Sequence, residues 1–575
     1  MKQLLIVLSV LGMVMLGGCS LSSIFSTPTP TIDLPAALTA LSPDSPPSPS
    51  STAVSERGTV AITQTPVETE KNLLWISPFL PESITRGLVA PMALEMVDDK
   101  ESATLTLDIG AEGHRVTSLV YALVAPFPTF EDQISFETLK SSWLGSPSGK
   151  FANGNLFLAE NTLALFQQWW GPPAGNYVKV VAEEELLSIT WSTANSLALI
   201  PFDSLQPEWK VLQVDGTSPI WKEFDLLTYP LSVPVSLQGR NSSVVDELAA
   251  AFQSQLPDVL NRNPDNLTTV VLTGVTALVR ATAVEMENKG ILYPAEQVGP
   301  LLQSADIAHI SNEVPFATTC PPPTPVSTRL IFCSDDRYME LLEYIGTDVV
   351  ELTGDHFSDW GTTATLHTFD LYDSVGWHYY GGGRTPEEGR LPIRLEHNGN
   401  KIAFIGCNGK GGSYTPSTRG LPGAVDCDFQ LISNEIAQLK DEGYVVIMTF
   451  QHHEVYSFTP SPYLVQDFEY VADAGADIVS GSQAHQPHGM SFYNGSTIMY
   501  GLGNLFFDQL LMGENTTRAL IARHVIYGGR HLSTEIFTIH FIDFSRPLFL
   551  EGDERTRLLR QVFEESDWGD LTFND

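Results

Sequence analysis

The chain reads as an α/β protein whose chemistry lies in its C-terminal half, and three observations carry this reading. From about residue 266 onward, continuous apolar runs of strand length alternate with amphipathic helical stretches. Twelve of the thirteen histidines lie after residue 308. Several apolar runs stop at an ionisable residue: Glu313 follows ADIAHI, Asp355-His356 follows DVVEL, His452-His453-Glu454 follows YVVIMTF, and His485 follows ADIVS. In open α/β sheets, functional groups gather in the crevice at the carboxyl ends of strands.

The first residues read as an address rather than as fold. Lys2 supplies a positive start, and the apolar stretch 4–16 is short for a membrane span. It ends in Leu16-Gly17-Gly18-Cys19, which resembles a lipobox. That resemblance implies a lipoprotein signal peptide over 1–18, lipidation of Cys19, and an extracytoplasmic protein lipid-anchored to the cell membrane. Residues 19–70 are rich in Ser, Thr and Pro. They bury too little apolar area to offset ordering entropy and are expected to form a disordered tether.

Charge and cysteines narrow the class. A net charge of −37 argues against nucleic acid as a partner and against anionic lipid binding through the protein surface. Besides Cys19 there are Cys320, Cys333, Cys407 and Cys427. Sequence-local pairing would close two short loops, although four cysteines allow three connectivities.

The segment 71–235 is expected to be a smaller α/β domain. Its strand-like runs are TLTLDIG, SLVYALVAPF, YVKVVA and SLALIPF. The phrase YALVAPFPT followed by a helix over 135–143, with SLALIPFD later, resembles type II periplasmic solute-binding proteins of the phosphate-binding sort. An α/β domain without a retained ligand site is the alternative. It is supported by the single His114 and by the lack of an anion-binding Gly/Ser/Thr cluster. Residues 236–265 are expected to bridge the two halves, and 551–575 to form a C-terminal helix and tail.

In the C-terminal domain, 266–550, LTTVVLTGV, ADIAHIS, DVVELTG, KIAFIGC, YVVIMTF and ADIVSGS predict buried strands. Phe429, Ile432, Ile436 and Leu439 predict a helix that stops at Gly443. A second helix is expected over 463–474, and Asn398-Gly399 predicts a tight hairpin.

Taken in order, the motifs of residues 266–525 resemble the CapA/PgsA-type poly-γ-glutamate capsule-synthesis family. They are Thr273-Gly274-Val275, Ala305-Asp306 through Glu313-Val314-Pro315, Thr353-Gly354-Asp355-His356 with Asp359-Trp360-Gly361, His452-His453-Glu454 with Tyr456, Gly481 through His485, and Tyr500 through Asn504. The resemblance implies a calcineurin-like α/β/β/α sandwich, and a role in synthesis, export or anchoring of a cell-surface polymer such as poly-γ-glutamate. It further implies a divalent metal held by Glu313, Asp355, His356, His452 and His485. Asp355, His356 and His452 would be catalytic, and Asn504 would meet substrate. Hard carboxylate oxygens and imidazoles at strand ends are the right ligands for such a centre.

Two departures bear on function. Val275 stands where the family has an acid, and Gln483 where it has a histidine. One metal or none is then the expectation, and two rivals stand beside the capsule role: a metal-dependent hydrolase, and a degenerate binding or scaffold protein. Between residues 381 and 420 the chain is locally basic, with Arg384 and Arg390 as candidate substrate contacts. An anionic polymer or its synthase complex is the expected partner, with scattered solvated charges as the alternative.

Overall fold

The computed structural model describes residues 71–81, 87–327 and 329–573. The expectations for the signal peptide, Cys19 and the tether fall outside those residues. Among the described residues, no helix is long and apolar enough to cross a membrane.

The C-terminal domain is two sheets stacked face to face with helices on both outer surfaces. The first sheet runs in the order His378–Tyr380, Thr347–Glu351, Ile307–Asn312, Leu267–Leu272, Arg518–Tyr527, Arg530–Ile542, Arg546–Phe549. The second runs Ile393–His397, Asn400–Asn408, Val445–Gln451, Ile478–Gly481, Ser496–Met499, Met490–Tyr493. The central strands of both pair in parallel, so their carboxyl ends share one edge.

Period-two alternation explains the stacking. Val270, Leu272, Ile307 and Val349 share one core with Ile402, Phe404, Val445, Ile447 and Ile478 of the other sheet. The intervening Val271, Ile310 and Val350 pack with Met286, Leu302, Leu341 and Phe369 from helices. Ala403, Ile405, Val446, Met448 and Val479 meet Ile436, Leu439, Phe468 and Val471 on the far side. Strands buried on both faces must be apolar throughout, and each such side chain contributes about 1.5–3 kcal/mol.

Local signals hold where the chain is unambiguous. The helix Phe429–Asp441 buries Ile432, Ile436 and Leu439, and Asp428 caps its first turn by accepting from the Leu431 amide. Asn398 and Gly399 take φ of 49° and 70°, as a two-residue hairpin turn requires. Both sequence-local disulfides form, Cys320–Cys333 and Cys407–Cys427.

The first half builds its own mixed sheet around the long strand His114–Pro126. Here the structure corrects one expectation. The segment 236–265 is not a free bridge, because Ser232–Gly239 pairs with both Leu105–Ile109 and His114–Pro126. The helix Ser242–Gln253 then buries Val245, Leu248, Ala249 and Phe252 in the same core. The helix Gly552–Glu564 returns to the first half, where Arg555 pairs with Asp132 at 2.7 Å and Phe563 stacks on Phe130. The described residues fall in one compact unit.

Two histidines outside the predicted cluster are deeply buried. His309 stacks on Phe404 between the sheets and shares a 2.8 Å hydrogen bond with the Tyr380 hydroxyl. His488 is fully buried against the Val455 carbonyl at 2.9 Å. Both lie within runs of buried residues, and burial holds each below the ordinary histidine range.

Candidate functional site

The strand ends converge as the alternation demands. Glu313 follows Ile307–Asn312, Asp355 and His356 follow Thr347–Glu351, Lys410 follows Asn400–Asn408, Glu454 follows Val445–Gln451, and Gln483 and His485 follow Ile478–Gly481. Glycines make the close approach possible. A Cβ on Gly354 would lie 2.8 Å from the Glu313 backbone, and one on Gly274 would lie 2.0 Å from the Gly503 carbonyl oxygen.

Glu313, Asp355 and His356 each offer a ligand atom within 4.8 Å of the others. Glu313 Oε2 and Asp355 Oδ1 are buried with no hydrogen-bond partner, an arrangement that costs stability unless something completes it. Burial and the neighbouring Asp355 push the Glu313 carboxyl up to about 8, against the opposing His356 and Lys410. Burial works against the His356 cation, but Asp359, Glu313 and Asp355 lift it to about 9. Asp359 Oδ2 accepts from His356 Nδ1 at 2.7 Å and from the Phe332 amide at 2.9 Å. It orients the ring and leaves Nε2 turned toward Asp355 Oδ1, 3.9 Å away.

Lys410 links this cluster to the far wall. Its Nζ lies 2.6 Å from Asp355 Oδ2 and 3.4 Å from Glu454 Oε1. Glu454 also accepts from Tyr456 at 2.9 Å and from Gln483 Nε2 at 3.0 Å. Burial would raise Glu454, but His485, Lys410 and these two hydrogen bonds hold it down at about 2. His485 Nδ1 donates to Asn504 Oδ1 at 2.9 Å, and burial depresses the ring to about 4. It is a neutral imidazole whose Nε2 faces Gln483 at 3.3 Å and Glu454 at 4.0 Å.

The placement of the remaining candidates is plain. His452 is buried, and its Nε2 donates to Asp467 at 2.9 Å. It is not among the residues grouped with Glu313, and His453 is exposed. Asn504 reaches His485 and donates to the Thr516 carbonyl, so it positions the ring. The basic stretch is corrected. Arg384 is tied to Asp370, Asp373 and Glu388, and Arg390 to Asp426. Those two charges are neutralised locally, whereas Lys410 of the same stretch reaches Asp355 in the cleft.

The sequence takes Lys410 only as one charge of the basic stretch, and it gives no sign of Arg280. Lys410 obeys the same strand-end rule as the acids, a signal visible had cations been included. Arg280 begins the helix Arg280–Lys289 at φ 49°. It donates to the Asp508 carbonyl, lies 4.5 Å from the Phe507 ring and feels the charge of Glu313. Nothing in the sequence around it pointed to the cleft.

The donor set tests the implied metal. Two orphaned carboxylate oxygens and a held imidazole fit one divalent ion at Glu313, Asp355 and His356. A second ion is not provided for. Val275 lies in an apolar cluster with Val314, Phe332 and Phe507, and the amide of Gln483 is turned to Glu454.

Residues 269–509 match the family described as bacterial capsule synthesis protein PGA_cap, a span that includes every cleft residue named above. The chain is 22% identical over 320 residues to the capsule biosynthesis protein CapA of Bacillus anthracis, covering 54% of this chain and 77% of that one. It is 23% identical over 339 residues to the PGA biosynthesis protein CapA of Bacillus subtilis, covering 56% and 86%. Among solved structures, the 5′-nucleotidase precursor from Thermus thermophilus is 12% identical, with a TM-score of 0.30 over 51% of this chain and 57% of that one.

Proposed function

With residues 269–509 belonging to the PGA_cap capsule-synthesis family, we propose that the chain is an extracytoplasmic lipoprotein that handles an anionic cell-surface polymer such as poly-γ-glutamate. Cys19 would carry the lipid. The observation that supports the reading is the cleft's charge make-up. Arg280, His356 and Lys410 bring three cationic side chains to the strand ends of a protein with a net charge of −37. These cations offset the carboxylates of Asp355, Asp359 and Glu454, so the cleft does not share the net negative charge of the chain and an anionic group can approach it.

The residues suit proton handling as well as binding. Without a metal, burial and Asp355 favour the protonated Glu313 carboxyl, and Asp359 favours the protonated His356 ring. Such a pair can protonate a leaving oxygen or nitrogen, with the Arg280 guanidinium near enough to feel the charge of Glu313. A divalent ion held by Glu313, Asp355 and His356 would displace those protons and would instead supply polarisation of a carboxyl or phosphoryl oxygen.

The test uses the native host. Deletion of the coding sequence should reduce surface polyanion, the full chain should restore it, and a Glu313→Ala/His356→Ala chain should not. A deletion that leaves polymer amount and length unchanged overturns the reading. A second reading, metal-assisted phosphoester hydrolysis, is favoured by the orphaned Glu313 and Asp355 oxygens. Turnover of a generic phosphodiester by the Mn²⁺-supplied protein, abolished in Asp355→Asn, would support it. No turnover would remove it.

A further inference from the structure

We propose that the Lys410 ammonium is the resident cation of this cleft, standing on the Asp355–Glu454 side so that at most one divalent ion can enter, on the Glu313–His356 side. The inference rests on reading the cleft as the functional centre, and it concerns how its carboxylates are neutralised.

The geometry is built. The Lys410 side chain is only 8% exposed, and Asp355 is 3% exposed. Asp355 divides its two oxygens: Oδ2 meets Lys410 Nζ at 2.6 Å, whereas Oδ1 has no hydrogen-bond partner and faces His356 Nε2 at 3.9 Å. The carboxylate is thus shared between a filled cation position and an open one. An ammonium and a divalent ion cannot both sit close to Oδ2, since like charges at contact distance repel strongly beside a buried carboxylate that water barely screens.

Lys410 is also held by backbone devices. Asn408 Oδ1 accepts from the amides of Lys410 and Gly411 at 2.9 and 3.2 Å. The Asn408 amide donates to the Thr353 carbonyl and to Gln451 at 2.8 and 3.0 Å. Gly409 passes so close to His452 that a Cβ there would lie 2.6 Å from the ring. The Tyr414 ring lies 5.2 Å from Nζ, and the Cys407–Cys427 disulfide closes the loop. On the far side, Gln483 donates to Glu454. An amide donor there suits a lysine-neutralised carboxylate better than a metal-bound one.

The experiment titrates the metal-stripped protein with Mn²⁺ and follows heat and the electron paramagnetic signal of free ion. The parent should bind a single Mn²⁺. Lys410→Met should bind a second ion, or the first about tenfold more tightly, as changes beside ligands commonly alter affinity; Lys410→Arg should behave as the parent. A folded Lys410→Met with unchanged affinity and stoichiometry overturns the proposal. Should Lys410→Met not fold, mass-mapped reductive methylation of the parent decides. Lys410 labelling that stays slow with and without Mn²⁺ supports residence. Labelling that accelerates when Mn²⁺ is added means the ion displaces the ammonium, and the proposal falls. Neither measurement depends on capsule formation, so its failure is separate from failure of the polymer reading.

Discussion

His356 Nδ1 lies 2.7 Å from Asp359 Oδ2, and this one contact sets both the tilt and the charge of the imidazole that completes the Glu313–Asp355 cluster. Asp359 sits one turn of chain beyond His356 and caps no helix, because the helix Gly361–Val375 begins without a side-chain cap. Its carboxylate is given to the ring and to the Phe332 amide.

Asp359→Asn should therefore lower the His356 pKa from about 9 toward the ordinary 6.5. The folded value lies above the ordinary one, so the stabilisation is fully present below pH 6.5 and is lost as pH rises through about 9. The variant should be less stable by about 1–2 kcal/mol near pH 6, and close to the parent above roughly pH 10. Imidazole NMR titration with urea melts across pH, in metal-free protein, checks both parts. An unshifted His356 titration refutes the assignment.

Glu313 shares this pH sign, but its substitution is expected to stabilise rather than destabilise. Its folded value of about 8 lies above the ordinary 4.5, so the protonated form suits the fold and stability declines as pH rises between those values. Glu313→Gln should melt higher than the parent above pH 8 and within about 0.5 kcal/mol of it near pH 4. Thermal melts of the metal-free proteins at both pH values decide this. Equal melting at high pH would mean the carboxylate is better compensated than its orphaned oxygen indicates.

The Cys407–Cys427 disulfide closes the loop that carries Lys410. Replacing both with alanine should cost about 2–4 kcal/mol. Hydrogen exchange should show faster opening of residues 408–426 than of the strand Val445–Gln451. Protection of that loop at the parent's level would show that Asn408 alone holds Lys410 in place.

Cys19→Ala should shift the protein from the membrane fraction to the soluble fraction, or leave it as unprocessed precursor. Fractionation with fatty-acid labelling reads the outcome, and an acyl-labelled Cys19→Ala protein would end the lipid-anchor proposal.

What was legible in the sequence was local. Apolar runs buried on both faces marked the strands, 3-4-3 spacing marked the helix Phe429–Asp441, and Asn398-Gly399 marked a hairpin. A strand that ends in an acid or histidine also places that group at the sheet's edge. Glu313, Asp355 and His356 were found this way because parallel neighbours end together. What the tertiary structure decided was pairing across long stretches of chain. Lys410 reaches Asp355 across 55 residues, His452 turns to Asp467, and Arg384 and Arg390 spend their charge on local acids. His309 goes inward because its strand's alternation points it at the second sheet, where Phe404 and Tyr380 receive it. Periodicity encodes which face a side chain takes along its own strand; the partner on that face is chosen by how sheets stack and loops close, which no local pattern contains.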